Sequence, residues 1–180
     1  MAIPIVTFIG KSGAGKTTFL EKLVANLKSR GYRVATIKHH SHSDFEIDVP
    51  GKDSWRFAQA GSSQVFIVSP HKIASYRLIE TEPTLDEVAT QVSEVDIILV
   101  EGYRQSGKPT VEVLRADNNK ELIGSREQWI ALVADFPIDI DVPQFELNDV
   151  TGIANLLVKR FLSVSPEVSS YLDPSSTAKI

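Results

Sequence analysis

The apolar positions Ile3, Ile5, Val6, Phe8 and Ile9 crowd together as in a short strand covered on both faces. Between Lys16 and Arg30 the spacing becomes helical, with Phe19, Leu20, Leu23, Val24 and Leu27 on one face and Gly31 available to end the helix. A second β-branched run over 33–37 completes a strand–helix–strand unit, and such crossovers are nearly always right-handed. The loops after both strands are therefore expected at the same edge of a parallel sheet.

Further along, a helix is expected over 53–59. The runs 64–69 and 73–78 flank Pro70-His71-Lys72, a connection short enough for an antiparallel hairpin extending one edge of the sheet. Thr84 and Glu87 form a capping box ahead of Leu85, Val88, Ala89 and Val92, which predicts a helix over 85–94. Ile97, Ile98, Leu99 and Val100 read as a central strand ending at Glu101; further strands are expected over 110–114 and 129–133. Val150, Ile153, Ala154, Leu157, Val158 and Phe161 share one face of a last helix over 150–162, and the Ser/Pro-rich residues 163–180 read as a flexible tail.

The turn between the first strand and the first helix carries the chemistry. Gly10-Lys11-Ser12-Gly13-Ala14-Gly15-Lys16-Thr17 fits the phosphate-binding pattern G-x-x-x-x-G-K-[ST] without a mismatch, followed by Thr18. Glycines let the backbone approach a phosphate, and successive N–H groups at a helix N-terminus supply partial positive charge. Lys16 is expected to reach the β- and γ-phosphates of a nucleotide, Thr17 to ligate Mg²⁺ and Thr18 to lie near the α-phosphate. The fold expected for residues 1–162 is thus α/β: a P-loop NTPase domain with a mostly parallel sheet flanked by helices and an antiparallel edge hairpin.

Glu101, ending an aliphatic strand, stands where such folds place a second magnesium ligand, the Walker B carboxylate. The segment 38–54 is rich in His, Lys and carboxylates and without regular period, so it reads as a functional loop. Asp48 in it is a candidate for Mg²⁺, directly or through water, and Lys52 for the γ-phosphate or a second anion. Asp53 and Ser54 suit either a helix cap or a site role. His39, His40 and His42 lack the cysteines or spacing of a zinc site and read better as loop or phosphate-contacting histidines. The guanine-reading motif N-K-x-D is absent, since Asn119-Lys120-Glu121-Leu122 ends in Leu; Asp135, after the 129–133 strand, is the better candidate to accept from the guanine N1 and N2 donors.

Composition narrows the class. The chain has 180 residues, 42% hydrophobic and 23% charged, as in one soluble α/β domain, and its net charge of −4 does not suggest a nucleic-acid partner. No run approaches the roughly 20 apolar residues of a membrane span, and no secretory h-region stands at the N-terminus, so a cytoplasmic location is the default expectation. The absence of cysteine excludes disulfides and thiolate metal sites.

Four blocks together resemble one family: 8–18, Thr36-Ile37-Lys38-His39-His40, Asp48-Val49-Pro50-Gly51-Lys52-Asp53-Ser54 with Ala60-Gly61, and Leu99-Val100-Glu101-Gly102-Tyr103. The chain resembles the MobB family of molybdopterin-guanine dinucleotide biosynthesis adaptor proteins over about residues 3–162. The P-loop is common to a superfamily; the D-x-P-G-K-D-S block beside the Lys-His loop is what points to MobB. The resemblance implies a homodimeric GTP-binding protein with weak hydrolysis. It would assist a MobA-type guanylyltransferase that attaches GMP to molybdopterin, with molybdopterin itself a possible ligand. A P-loop small-molecule kinase is the alternative, and a structural partner that keeps the loop without turnover is a third; a kinase needs a lid, for which only Arg104 and Lys108 offer charge.

Overall fold

The computed structural model describes residues 2–40, 45–118 and 120–162. Ser41, His42, Ser43, Asp44, Asn119 and the expected tail 163–180 lie outside these residues. The chain divides into two compact units, one formed by residues up to His39 together with those from Ala89 onward, the other by His40–Val88.

In the first unit, six strands form one sheet: β1 (Ile5–Ile9), β2 (Val34–Lys38), β5 (Ile97–Glu101), β6 (Thr110–Val113), β7 (Trp129–Val133) and β8 (Gln144–Phe145). Their order is β2-β5-β1-β6-β7-β8, and every pairing is parallel. From β1 the chain runs first to one side of the sheet and later to the other. The C-terminal end of β1 is therefore a topological switch point, the place where open parallel sheets bind ligands.

The periodicity explains the layers. Helix α1 (Lys16–Ser29) buries Phe19, Leu20, Leu23 and Leu27, and α4 (Val150–Leu157) buries Val150, Ile153, Ala154 and Leu157. Both join one core with Val6, Phe8, Ile97, Leu99, Val111 and Val113, which alternate along three neighbouring strands. Asp149 caps α4, its Oδ1 accepting from Gly152 N at 2.8 Å. The expected helix over 150–162 is α-helical to Leu157 and continues as one π-helical turn, Val158–Leu162.

The residues between, on the other sheet face, are also buried: Thr7, Ile98, Val100, Thr110, Glu112 and Leu132. Thr7 and Thr110 satisfy each other there, hydroxyl to hydroxyl, at 2.7 Å.

The second unit holds α2 (Asp53–Gln59) and the hairpin β3 (Gln64–Ser69) with β4 (Lys72–Arg77), paired antiparallel from Gln64 opposite Arg77 to Ser69 opposite Lys72. The hairpin forms as expected but does not extend the large sheet; it is a two-stranded sheet of its own. The capping box forms too, with the Thr84 N–H and hydroxyl donating to Glu87 Oε2 at 2.8 Å each. Helix α3 (Leu85–Ala89) is shorter than the expected 85–94: Val92 N turns back to Ala89 O, and Glu94 takes a left-handed φ of 57°. Val92 kept the apolar spacing across a turn, which periodicity alone does not distinguish from helix.

Candidate functional site

The loop between β1 and α1 is built as the motif requires. Gly10 has φ 144°, and a Cβ there would fall 2.2 Å from Val113 O, so only glycine lets β1 pass that close to the end of β6. Gly13 and Gly15 also take positive φ, and Gly15 is the N-cap of α1 without a side-chain cap. The first N–H groups of α1 are thereby left to a ligand.

Lys16 folds back over this loop, donating from Nζ to Gly10 O at 2.8 Å and to Lys11 O at 3.0 Å. Burial lowers its pKa; Glu101 opposes that shift and Lys38 adds to it. An anion entering the loop would oppose that lowering. Thr17 Oγ1 donates to Glu101 Oε2 at 2.9 Å, and Lys38 Nζ stands 3.9 Å from Glu101 Oε1. Two of the three residues expected to hold a metal, Thr17 from α1 and Glu101 from β5, are brought into direct contact.

A hydroxyl and a carboxylate are hard oxygen donors, which suits Mg²⁺ completed by phosphate oxygens and water. Among the described residues no three His, Asp or Glu side chains converge as a metal cluster. His39 instead lies against Tyr103, ring centroids 4.4 Å apart, and His40 lies 5.9 Å from Phe45.

Asp48 and Lys52 belong to the second unit. There Asp48 accepts from Val49 N at 2.8 Å and from the Tyr76 hydroxyl at 3.0 Å. A hydrogen bond from Ser54, followed by the Val49 and Tyr76 bonds, holds its carboxyl below the usual range against an opposing desolvation. Lys52 is the N-cap residue of α2, and no side chain caps that helix. Asp53 and Ser54 therefore do not act as caps: Asp53 stands 3.9 Å from Arg56, and Ser54 joins Asp48 and Tyr76, accepting from the Tyr76 hydroxyl through its carbonyl at 3.2 Å.

Sequence reasoning missed the segment that follows β6. Asn118 donates from Nδ2 to Ser12 O, and Glu121 pairs with Lys11 at 2.8 Å, so this connection is fastened to the phosphate loop at two points. Its far end is anchored by Glu112, which is fully buried. Oε1 of Glu112 accepts from Ile123 N at 2.7 Å, and Oε2 accepts from Gly124 N and Trp129 Nε1, both at 2.9 Å. One charged residue in the Thr110–Val113 strand was the only signal, and it reads equally well as an outward-facing side chain.

Asp135 lies just beyond β7, where its Oδ1 accepts from Ala116 N at 2.7 Å. It lines a cavity of about 710 Å³ at the C-terminal edge of the sheet with Lys22, Arg115, Phe136, Phe145 and Leu147. Cradle and cavity are both reached from α1, the cradle through Gly15 and Lys16 and the cavity through Lys22.

Residues 5–135 match the family model described as MobB, molybdopterin guanine dinucleotide synthesis protein B. The chain belongs to the MobB family. It is 37% identical over 157 residues to the molybdopterin-guanine dinucleotide biosynthesis adapter protein of Haemophilus influenzae, covering 86% of this chain and 88% of that protein. The Escherichia coli protein of the same name is 35% identical over 166 residues, covering 87% and 93%. Among solved structures, a molybdopterin-guanine biosynthesis protein B (mobB) superposes with a TM-score of 0.70 at 29% identity, over 86% of this chain and 98% of that one. The Bacillus subtilis MobB structure shares the fold with a TM-score of 0.71 at 23% identity, over 88% and 98%. Among the described residues of this MobB-family chain, no helix is long and apolar enough to cross a membrane.

Proposed function

We propose that this chain is a GTP-binding adaptor in molybdopterin-guanine dinucleotide biosynthesis. In this reading it assists a MobA-type guanylyltransferase that attaches GMP to molybdopterin. The observation that carries the proposal is the phosphate loop itself: Lys16 closed over the loop carbonyls and Thr17 bonded to Glu101 2.9 Å away, in a chain of the MobB family.

Nucleotide phosphates would displace Lys16 from Gly10 O and Lys11 O, exchanging two neutral acceptors for charged ones. Thr17 and Glu101 would hold Mg²⁺, which supplies charge neutralisation at the phosphates when bound. Asp135, one carboxylate oxygen engaged by Ala116 N, has the other to offer a guanine edge in the adjoining cavity. No residue identified at the cradle has the role of activating a water, so slow turnover that depends on the partner is the expected behaviour.

The family resemblance also implies a homodimer. We assign it to the second unit, where the large apolar side chains left exposed among the described residues all fall, Phe66, Val68 and Ile73 of the hairpin among them. A lone two-stranded hairpin is marginal in water, and among the described residues no further strand pairs with either of its edges.

Single-turnover assays with GTP, with and without the guanylyltransferase and molybdopterin, test the adaptor role: turnover should need the partner. Phosphoryl transfer to a small acceptor without it would make the chain a kinase instead. Asp135→Asn should erode the preference for GTP over ATP; an unchanged preference would remove Asp135 from the base site.

A further inference from the structure

We propose that Arg115 is a nucleotide-binding residue whose guanidinium pairs with the phosphate nearest the nucleoside. The inference rests on the nucleotide reading above and adds to it the residue that joins the phosphate cradle to the base cavity.

Position comes first. Arg115 follows β6, and a Cβ placed on Gly15 would lie 3.6 Å from its Nη2, so the guanidinium stands against the N-cap of α1. The same side chain lines the 710 Å³ cavity that contains Asp135. A nucleotide with its terminal phosphates in the loop and its base in that cavity must carry the intervening phosphate past this point.

Orientation is fixed by the backbone on either side. Leu114 N donates to Val133 O at 2.8 Å, Ala116 N to Asp135 Oδ1 at 2.7 Å, and Asn118 N to Arg115 O at 3.1 Å. With Asn118 also bound to Ser12 O, the residue is held between β7 and the phosphate loop.

Arg115 is exposed, so its guanidinium is open to an incoming ligand. The Arg115 guanidinium makes no hydrogen bond or ion pair with another described residue. It sits beside the positive end of α1. A cation held against a helix N-terminus is relieved when an anion joins it. A guanidinium is suited to that anion because its planar fork meets two phosphate oxygens at once, which an ammonium does not.

Titration calorimetry of GDP, GTP and IDP, each with Mg²⁺, into wild type, Arg115→Ala and Arg115→Lys tests this. Arg115→Ala should weaken all three by a common factor of about tenfold or more, the scale of one charge-assisted pair. Arg115→Lys should recover only part of the loss. Three results would overturn the assignment: unchanged affinities, a loss confined to GTP, or a collapse of the preference for GDP over IDP, which would place the guanidinium on nothing, on the γ-phosphate or on the base respectively. Wild-type protein binding none of the three would overturn the nucleotide reading itself, and is distinct from an unaltered Arg115→Ala variant.

Discussion

Glu112→Gln replaces one carboxylate oxygen by an NH₂ group in a place that contains only donors. If the new amide nitrogen faces Ile123, one backbone N–H loses its acceptor and meets another donor; turned the other way, Gly124 N and Trp129 Nε1 both lose theirs. The cheaper arrangement leaves one N–H unsatisfied, about 1–3 kcal/mol, and weakens the two remaining bonds by removing their charge. Relief from burying a full carboxylate charge works in the opposite direction. Ile123 and Gly124 are only half-buried, so water replaces part of what is lost and the net cost falls at about 2 kcal/mol. For a chain of this size that is a fall in Tm of about 4–8 °C, readable by calorimetry or by urea unfolding. Trp129→Phe removes one donor and leaves the carboxylate, so a double-mutant cycle should give a coupling of about 0.5 kcal/mol or more between the two positions. GTP affinity should fall along with stability, because the connection anchored by Glu112 is the one fastened to Ser12 and Lys11. A Glu112→Gln variant within about 0.5 kcal/mol of wild type, the range of ordinary surface changes, would refute the reasoning.

Three other outcomes are expected. Glu101→Gln should reduce the gain in GTP affinity on adding Mg²⁺ by about tenfold or more while leaving metal-free binding nearly unchanged; an intact magnesium dependence would remove Glu101 from the metal site. Asp96 accepts from Arg33 N at 2.7 Å and from its guanidinium at 3.1 Å, and these bonds hold its carboxyl below its ordinary 3.8. Because the folded value is the lower one, its contribution is present above that pH and disappears as pH falls through the folded value; the stability gap between wild type and Asp96→Asn should therefore close in acid, and a gap independent of pH would contradict it. Ile73→Glu, on the exposed hairpin, should shift the protein from dimer to monomer in light scattering without lowering GTP affinity; an unchanged mass would place the interface elsewhere.

Much of the fold was legible because its signals are local. The phosphate loop is a contiguous motif, α1 and α4 carry their period on their own residues, and β5 and β7 are unbroken apolar runs. Glu101 could be named as a candidate because its place at a strand end is itself a sequence position. What escaped depends on distant partners. Strand β8 is only two residues long and exists through its pairing with β7, so no pattern could form. The hairpin could be read, but not that it forms a sheet of its own, since both arrangements ask for the same alternation of side chains. Nothing in its own strand marks Glu112 as buried; Trp129 and the 123–124 backbone do that from farther along the chain. Arg115 and Asn118 gave no signal at all, because they matter only by lying against a loop roughly 100 residues earlier in the chain.

The central claim, that the loop from Gly10 to Thr18 holds GTP, is tested most directly by calorimetric titration of GTP into the purified protein with Mg²⁺, with ATP and the Lys16→Ala variant in parallel. Saturable binding of one GTP per chain, tighter than ATP and lost in Lys16→Ala, is the predicted result. Absence of saturable GTP binding by the wild type, or full affinity in Lys16→Ala, would contradict it.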